Sequence, residues 1–154
     1  MSEHRATIKW KAGEGDFAKG RYSREHTWTF DGGMVVSASS SPAVVPVPMS
    51  NPAYVDPEEA FVASLSSCHM LTFLAICARK RFAVDAYDDE AEGTLEKGPK
   101  GKLWMAHVTL RPRVRFASGV HIDAATLAEL HHLAHRDCFI ANSVNTEIAV
   151  EPRD

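Results

Sequence analysis

The sequence predicts an α+β fold, and three observations carry that expectation. Segments of alternating apolar and polar residues lie on both sides of one long apolar stretch. Turn signals join the alternating segments closely, which implies antiparallel sheet. Two helices carry explicit starting signals. A chain of 154 residues fits one domain over 1–154 with room for a real core.

Residues 5–11 read as the first strand, because Ala6, Ile8 and Trp10 alternate with Thr7 and Lys9. Gly13 and Gly15 end it. Residues 21–30 alternate again, and Asp31-Gly32-Gly33 is a turn that returns the chain along 34–38. Residues 39–55 carry four prolines and read as a loop. A helix then starts firmly. Asp56 is placed to be the N-cap, Pro57 stands at the first helical position, and Glu59 completes a capping box. It runs to about Arg81. Strands follow at 85–96 and 102–116, with a turn at 98–101. In the second of them Ala106, Val108, Leu110, Val114 and Phe116 share one face. Asp123 caps a second helix through His135, striped by Leu127, Leu130, Leu133 and Ala134. A break near Cys138 and a short third helix at 139–144 precede a last strand at 146–150. The order is βββ-α-ββ-α-β.

Composition narrows the function. Hydrophobic residues make up 45% and charged residues 24%, both ordinary for a soluble globular protein. A net charge of −3 leaves no basic excess to hold a nucleic-acid backbone. No apolar run follows the first charges, so neither a signal nor a transit peptide is expected. The apolar stretch at 60–78 contains serines, a histidine and two cysteines, and reads as a buried helix and not a membrane span. Three scattered cysteines do not make a disulfide scaffold. In a reducing cytoplasm they are free, metal-bound or catalytic.

Each thiol has two readings. Cys68, mid-helix between Ser66-Ser67 and His69, is a small core residue or a reactive one. Cys77, between Ile76 and Ala78, reads as core. Cys138 is inert and buried, or sits at the N-terminus of the short third helix, where a thiol pKa falls. His131, His135 and Cys138 have metal-ligand spacing if the helix is continuous. No fourth ligand is evident, and the helix is expected to end before Cys138, so no metal or cofactor is expected. Arg24 falls on the face of its strand that carries Tyr22, His26, Trp28 and Phe30. A buried arginine needs a partner or a task, and a structural ion pair or a slip in register are the alternatives. Arg111, Arg113 and Arg115 form a basic stripe that reads as a solvated face paired with Asp88, Asp89, Glu90 and Glu92.

The stretch DPEEAFVASLSSCHMLTFLAI resembles the first helix of the OsmC/Ohr family, the osmotically inducible and organic hydroperoxide resistance proteins. HRDCFIANSVNTEIAVEP resembles that family's second cysteine segment. A Pro-Glu pair, a cysteine ten residues after the glutamate and a second about seventy residues on make a specific combination. The resemblance covers nearly the whole chain. It implies the OsmC-like fold, antiparallel sheets with a central buried helix, and an intertwined homodimer. It also implies a peroxidatic Cys68, a resolving Cys138, a site arginine at Arg24 with Arg21 as the fallback, and a glutamate at Glu58. Tyr54-Val55-Asp56 stands where the family often has Gly-Thr-Asn, and Tyr-Ser-Arg-Glu-His-Thr-Trp points to an OsmC-like subgroup more than Ohr proper.

The implied chemistry is thiol peroxidation. A Cys68 thiolate attacks an organic hydroperoxide and leaves a sulfenic acid and an alcohol. Arg24, held by Glu58, steadies the thiolate and orients the hydroperoxide. Cys138 condenses with the sulfenic acid, and a dithiol reductant, lipoyl-type by resemblance, opens the disulfide. Glu58 and Cys68 lie ten residues apart on one expected helix, about 15 Å along its axis and roughly 80° apart around it. A site holding both therefore implies that a second chain supplies one of them. The rival reading is a non-enzymatic redox-sensing or ligand-binding module on the same fold.

Overall fold

The computed structural model describes residues 1–98 and 100–154. The expected turn at 98–101 therefore includes one residue, Pro99, outside the described residues. Beside it the Gly98 amide donates to the Lys102 carbonyl. The chain forms two compact units, Met1–Ala60 and Phe61–Asp154.

The first unit is a small antiparallel assembly. β1 (Ala6–Lys9) pairs with β4 (His26–Phe30), which pairs with β5 (Val35–Ala38). Between them, β2 (Gly15–Asp16) and β3 (Arg21–Tyr22) form a hairpin around a 3-10 turn at Phe17–Lys19. Gly15 has φ 129°, and a Cβ there would run into the Arg21 carbonyl, so the hairpin requires glycine. The strand expected over 21–30 is thus two strands. The break at 23–25 has a cause far away in sequence: the Arg24 amide donates to the Met49 carbonyl of the proline-rich loop. The Ser23 hydroxyl takes the Glu25 amide as well. The loop is tied down at its far end, where Val55 bridges Ala38 and the Ser39 hydroxyl accepts from the Asn51 amide.

α1 (Pro57–Lys80) begins as the sequence requires. The Asp56 carboxylate accepts from the Glu59 amide at 2.8 Å, and Glu59 returns the bond to the Asp56 amide at 3.1 Å. It ends in a Schellman turn. Phe82 donates to the Cys77 carbonyl and Arg81 to that of Ala78, with Arg81 itself at φ 62°.

In the second unit β6 (Val84–Asp89) and β7 (Glu92–Lys97) run out, and β8 (Leu103–Leu110) and β9 (Pro112–Phe116) return. β7 pairs with β8 and β6 with β9, so the two long strands expected are one hairpin pinched in its middle. The pinch is chemical: the Asp89 carboxylate accepts the Arg111 amide at 2.6 Å and the Ser66 hydroxyl at 2.5 Å. The Arg111 amide is thereby drawn from the ladder, and Ser66 ties the pinch to α1. α2 (Ala124–Asp137) is capped by Asp123, whose carboxylate accepts from the Thr126 amide at 2.7 Å. β10 (Glu147–Val150) lies parallel to β8, whereas the other strand ladders among the described residues are antiparallel. A single 3-10 turn, Ala141–Ser143, replaces the third helix expected at 139–144.

Two apolar clusters fix the second unit. Leu65 packs on Val108 and Leu110 of β8. Two to three turns on, Phe73, Ile76 and Cys77 pack on Leu130 and Ala134 of α2. Phe73, Leu65, Leu110 and Leu130 are each about 1% exposed or less. Burying each contributes on the order of 2 kcal/mol. The basic stripe is paired in part: Arg111 meets Glu92 and Arg113 meets Asp88, whereas Glu90 takes Arg153 and Arg115 has no ion pair among the described residues. Cys77 is core, and burial pushes its thiol up to about 11.

Candidate active site: an arginine-lined cavity and a pair of thiols

The expected site residues fall into two groups. Arg24 and Glu58 line one cavity of about 450 Å³ in the first unit. Its apolar wall is an aromatic cluster. The 3-10 turn sets Phe17 on Tyr22 with ring centres 4.5 Å apart, and Trp10 meets them at 5.9 and 5.7 Å. The Trp10 indole N–H donates to the Ser23 carbonyl at 2.9 Å.

Arg24 is half-buried there. Its guanidinium lies over the Tyr22 ring at 3.6 Å and donates to the carbonyls of Gly20 and Tyr22 at 2.9 and 2.5 Å. His26 supports the same backbone, with Nδ1 on the Arg24 carbonyl at 2.7 Å and Nε2 accepting from the Trp28 indole at 2.8 Å. That arrangement assigns the proton to Nδ1. Arg21 is exposed and lies 3.6 Å from Asp16, so Arg24, and not the fallback, faces the cavity.

The expected ion pair between Arg24 and Glu58 is not formed within this chain. Nη1 alone donates to the two backbone carbonyls, and with the Tyr22 ring it holds the guanidinium on Gly20 and Tyr22. Glu58 Oε2 is buried without a hydrogen-bond partner. A carboxylate oxygen in that state costs on the order of 1–3 kcal/mol or more, so the cavity is polarised and unsatisfied.

The second group is the thiols. Cys68 is half-buried on α1, and Cys138 is buried at the C-cap of α2. Cys138 corrects one expectation. It does not open a helix and its thiol is not made acidic. Burial, with the neighbouring Cys68 thiol second, pushes it up to about 11. The Ala141 amide at 3.5 Å from Sγ and the Ile140 amide do not offset this. A thiol raised in this way stays protonated near neutral pH.

His131 and His135 do not join Cys138 around a metal. Among the described residues no group of three or more His, Cys, Asp or Glu side chains is arranged to hold one. His131 instead turns into the interior and bonds to His69 at 3.0 Å. The sequence did not reveal that pair, nor the roles of Trp10 and Phe17. Each depends on residues brought together from distant segments.

The family model for OsmC-like proteins matches residues 50–153. Among solved structures, an OsmC-like protein of unknown function from Vibrio cholerae O1 biovar eltor is 53% identical. The match covers 99% of this chain and 100% of that one, with a TM-score of 0.96. An organic hydroperoxide resistance protein from Elizabethkingia anophelis is 16% identical over 100% of this chain and 97% of that one, with a TM-score of 0.74. One from Bacillus subtilis is 19% identical over 97% and 98%, with a TM-score of 0.66. At those identities the last two show the shared fold. Among curated proteins none matches this sequence.

Proposed function

Because the chain belongs to the OsmC-like protein family, we propose that it is a thiol-dependent peroxidase that reduces organic hydroperoxides to alcohols. The observation that carries this reading is the pairing of a half-buried Cys68 with a buried neighbour, Cys138. A lone core cysteine has no use for a second thiol at its side. Two solved structures of the same fold are organic hydroperoxide resistance proteins, which supports the substrate class.

In this mechanism the Cys68 thiolate attacks one oxygen of the hydroperoxide and the O–O bond breaks. The sulfur becomes a sulfenic acid, and the departing alkoxide takes a proton and leaves as an alcohol. The Cys138 thiol then displaces hydroxide from that sulfur. A disulfide and water result, and Cys68 is spared further oxidation. A dithiol from outside, a lipoyl-type one by family resemblance, reduces the disulfide by exchange. Arg24 orients the peroxide and steadies the negative charge, and Glu58 helps to fix Arg24.

The cavity and the thiols come together across a homodimer. Ten residues of helix put Glu58 and Cys68 about 15 Å apart along α1, too far to share a small site in one chain. A second chain resolves this, and twofold pairing makes two equal sites. The unpartnered Glu58 oxygen supports the reading, as do Leu71 of α1, 60% exposed, and Phe139 beside Cys138, 80% exposed. The work belongs in a reducing cytoplasm.

The test is consumption of cumene hydroperoxide with dithiothreitol as reductant. The expected result is many turnovers per chain. Oxidation of one equivalent followed by arrest would favour a redox sensor.

A further inference from the structure

Between α1 and α2 lies a polar contact that the peroxidase chemistry does not use. His69 Nε2 and His131 Nδ1 stand 3.0 Å apart, and the rings are nearly parallel, 8° between planes. Both residues are buried, at 1% and 3% exposure. The outer nitrogens, His69 Nδ1 and His131 Nε2, have no partner. Whichever tautomer holds, one N–H joins the rings and one buried polar hydrogen is left over. For stability alone, two apolar rings or chains would serve better than this half-satisfied pair.

Its place explains what it does. His69 follows Cys68 on α1, and His131 stands seven residues before Cys138 on α2. The two helices that carry the thiols are the two that carry the imidazoles. Their apolar contact, Phe73, Ile76 and Cys77 on Leu130 and Ala134, begins one turn beyond His69. Such contact is strong but non-directional, and it tolerates sliding. A hydrogen bond is directional and loses strength steeply when bent. Phe73 stacks on His131 at 4.4 Å and holds that ring in place. Among the described residues no other side-chain hydrogen bond joins Pro57–Lys80 to Ala124–Asp137, the thiol contact of Cys68 with Cys138 lying just past the end of α2.

We propose that His69 and His131 are a positioning pair that sets the register of α1 on α2 and so holds Cys68 and Cys138 at disulfide-forming separation. A disulfide accepts Cα separations of only about 4.4–6.8 Å, so a slide of one or two ångströms is enough to impair it. The pair acts on the second step, in which the Cys68 sulfenic acid and the Cys138 thiol give a disulfide and water. It leaves the attack on peroxide alone. The inference rests on the thiol roles proposed above.

The test reads thiol geometry without any peroxide. The protein is equilibrated with oxidised and reduced glutathione, and the ratio of disulfide to dithiol gives the effective concentration of the two thiols. One protein disulfide and two reduced glutathiones form from each oxidised glutathione. In the His69→Leu/His131→Leu variant the effective concentration should fall at least threefold, while the melting temperature stays at or above that of the wild type. His131→Asn keeps a hydrogen-bonding nitrogen near the Nδ1 position and should recover most of the loss. Should the leucine variant not fold, His131→Phe decides by the same readout. A folded variant without the pair whose effective concentration falls less than threefold overturns the proposal. So does failure of His131→Asn to recover while folded, because directionality would then be irrelevant. A wild type that forms this disulfide with glutathione but ignores hydroperoxides would refute the peroxidase reading and leave the positioning pair standing.

Discussion

The two units hold themselves together in different ways. The second buries large apolar side chains: Leu65, Phe73, Val108, Leu110 and Leu130 are nearly inaccessible. In the first unit the buried residues are small or polar, namely Ala38, Ser39, Ser50 and Asp56. Four of its large apolar groups, Ile8, Trp10, Phe17 and Val35, stay between 42% and 62% exposed. Hydrogen bonds and ring stacking define its shape, and its Glu58 oxygen lacks a partner. The second unit carries thiols on a finished core. The first carries charge in a frame that still has apolar surface to cover. The difference teaches that one region of a fold can finish its apolar core while another leaves its large apolar groups at the surface.

The largest effect should come from breaking the finished side. Cys68→Ser should reduce peroxide turnover to background, a loss of at least about a thousandfold. Cys138→Ser should still consume one equivalent of hydroperoxide and stop at the sulfenic acid, detectable by dimedone labelling. Cys77→Ser serves as the control and should keep turnover within about twofold, because that thiol is core.

A smaller effect is expected on the charged side. Arg24→Ala should slow Cys68 oxidation about a hundredfold, the worth of one or two charge-assisted hydrogen bonds. Arg24→Lys should recover part of this, since it keeps the charge and loses the fork and the flat face on Tyr22. Stopped-flow oxidation rates decide it. Equal rates in Arg24→Ala and wild type would remove this cavity from the site.

How much of this was legible in the sequence depends on distance along the chain. The start of α1 was, because Asp56, Pro57 and Glu59 act within one turn. Strand alternation set Arg24 beside Tyr22 and His26, and all three line one cavity, although Arg24 itself stands in the break between two strands. The break after Tyr22 was hidden, because it rests on Met49 in a loop 25 residues away. The pinch in the long hairpin was hidden for the same reason, since Asp89 takes an amide 22 residues on. His131 was noticed for its spacing to His135, but its real partner, His69, is 62 residues distant. Local pattern reports what a residue can do. It does not report which distant group arrives to use it.

The smallest effect concerns stability against pH. Burial holds both His69 and His131 down to about 4, and for His69 the neighbouring His131 and His135 add to this while Asp89 opposes it. Above about pH 6.5 these rings are neutral in the folded and unfolded chain alike. Below it the unfolded chain takes up protons that the folded chain refuses. Stability therefore falls as pH drops from about 6.5 toward 4, by a few kcal/mol in all. Urea unfolding at about pH 7 and pH 5 should show the loss. His69→Gln, which does not titrate, should shrink it. A loss of the same size in His69→Gln would mean that other groups set it.

The comparison itself is tested most directly by mixing broken chains. Cys68→Ser keeps the cavity with Glu58 and loses the attacking thiol. Glu58→Ala keeps the thiols and loses the cavity carboxylate. Each homodimer should be nearly inactive. After subunit exchange from partial denaturation, half of the dimers in an equal mixture are mixed, and each has one intact site of two. Activity should then return to about a quarter of the wild-type value. If each chain builds its own site, every site in the mixture carries one lesion, and mixing restores nothing.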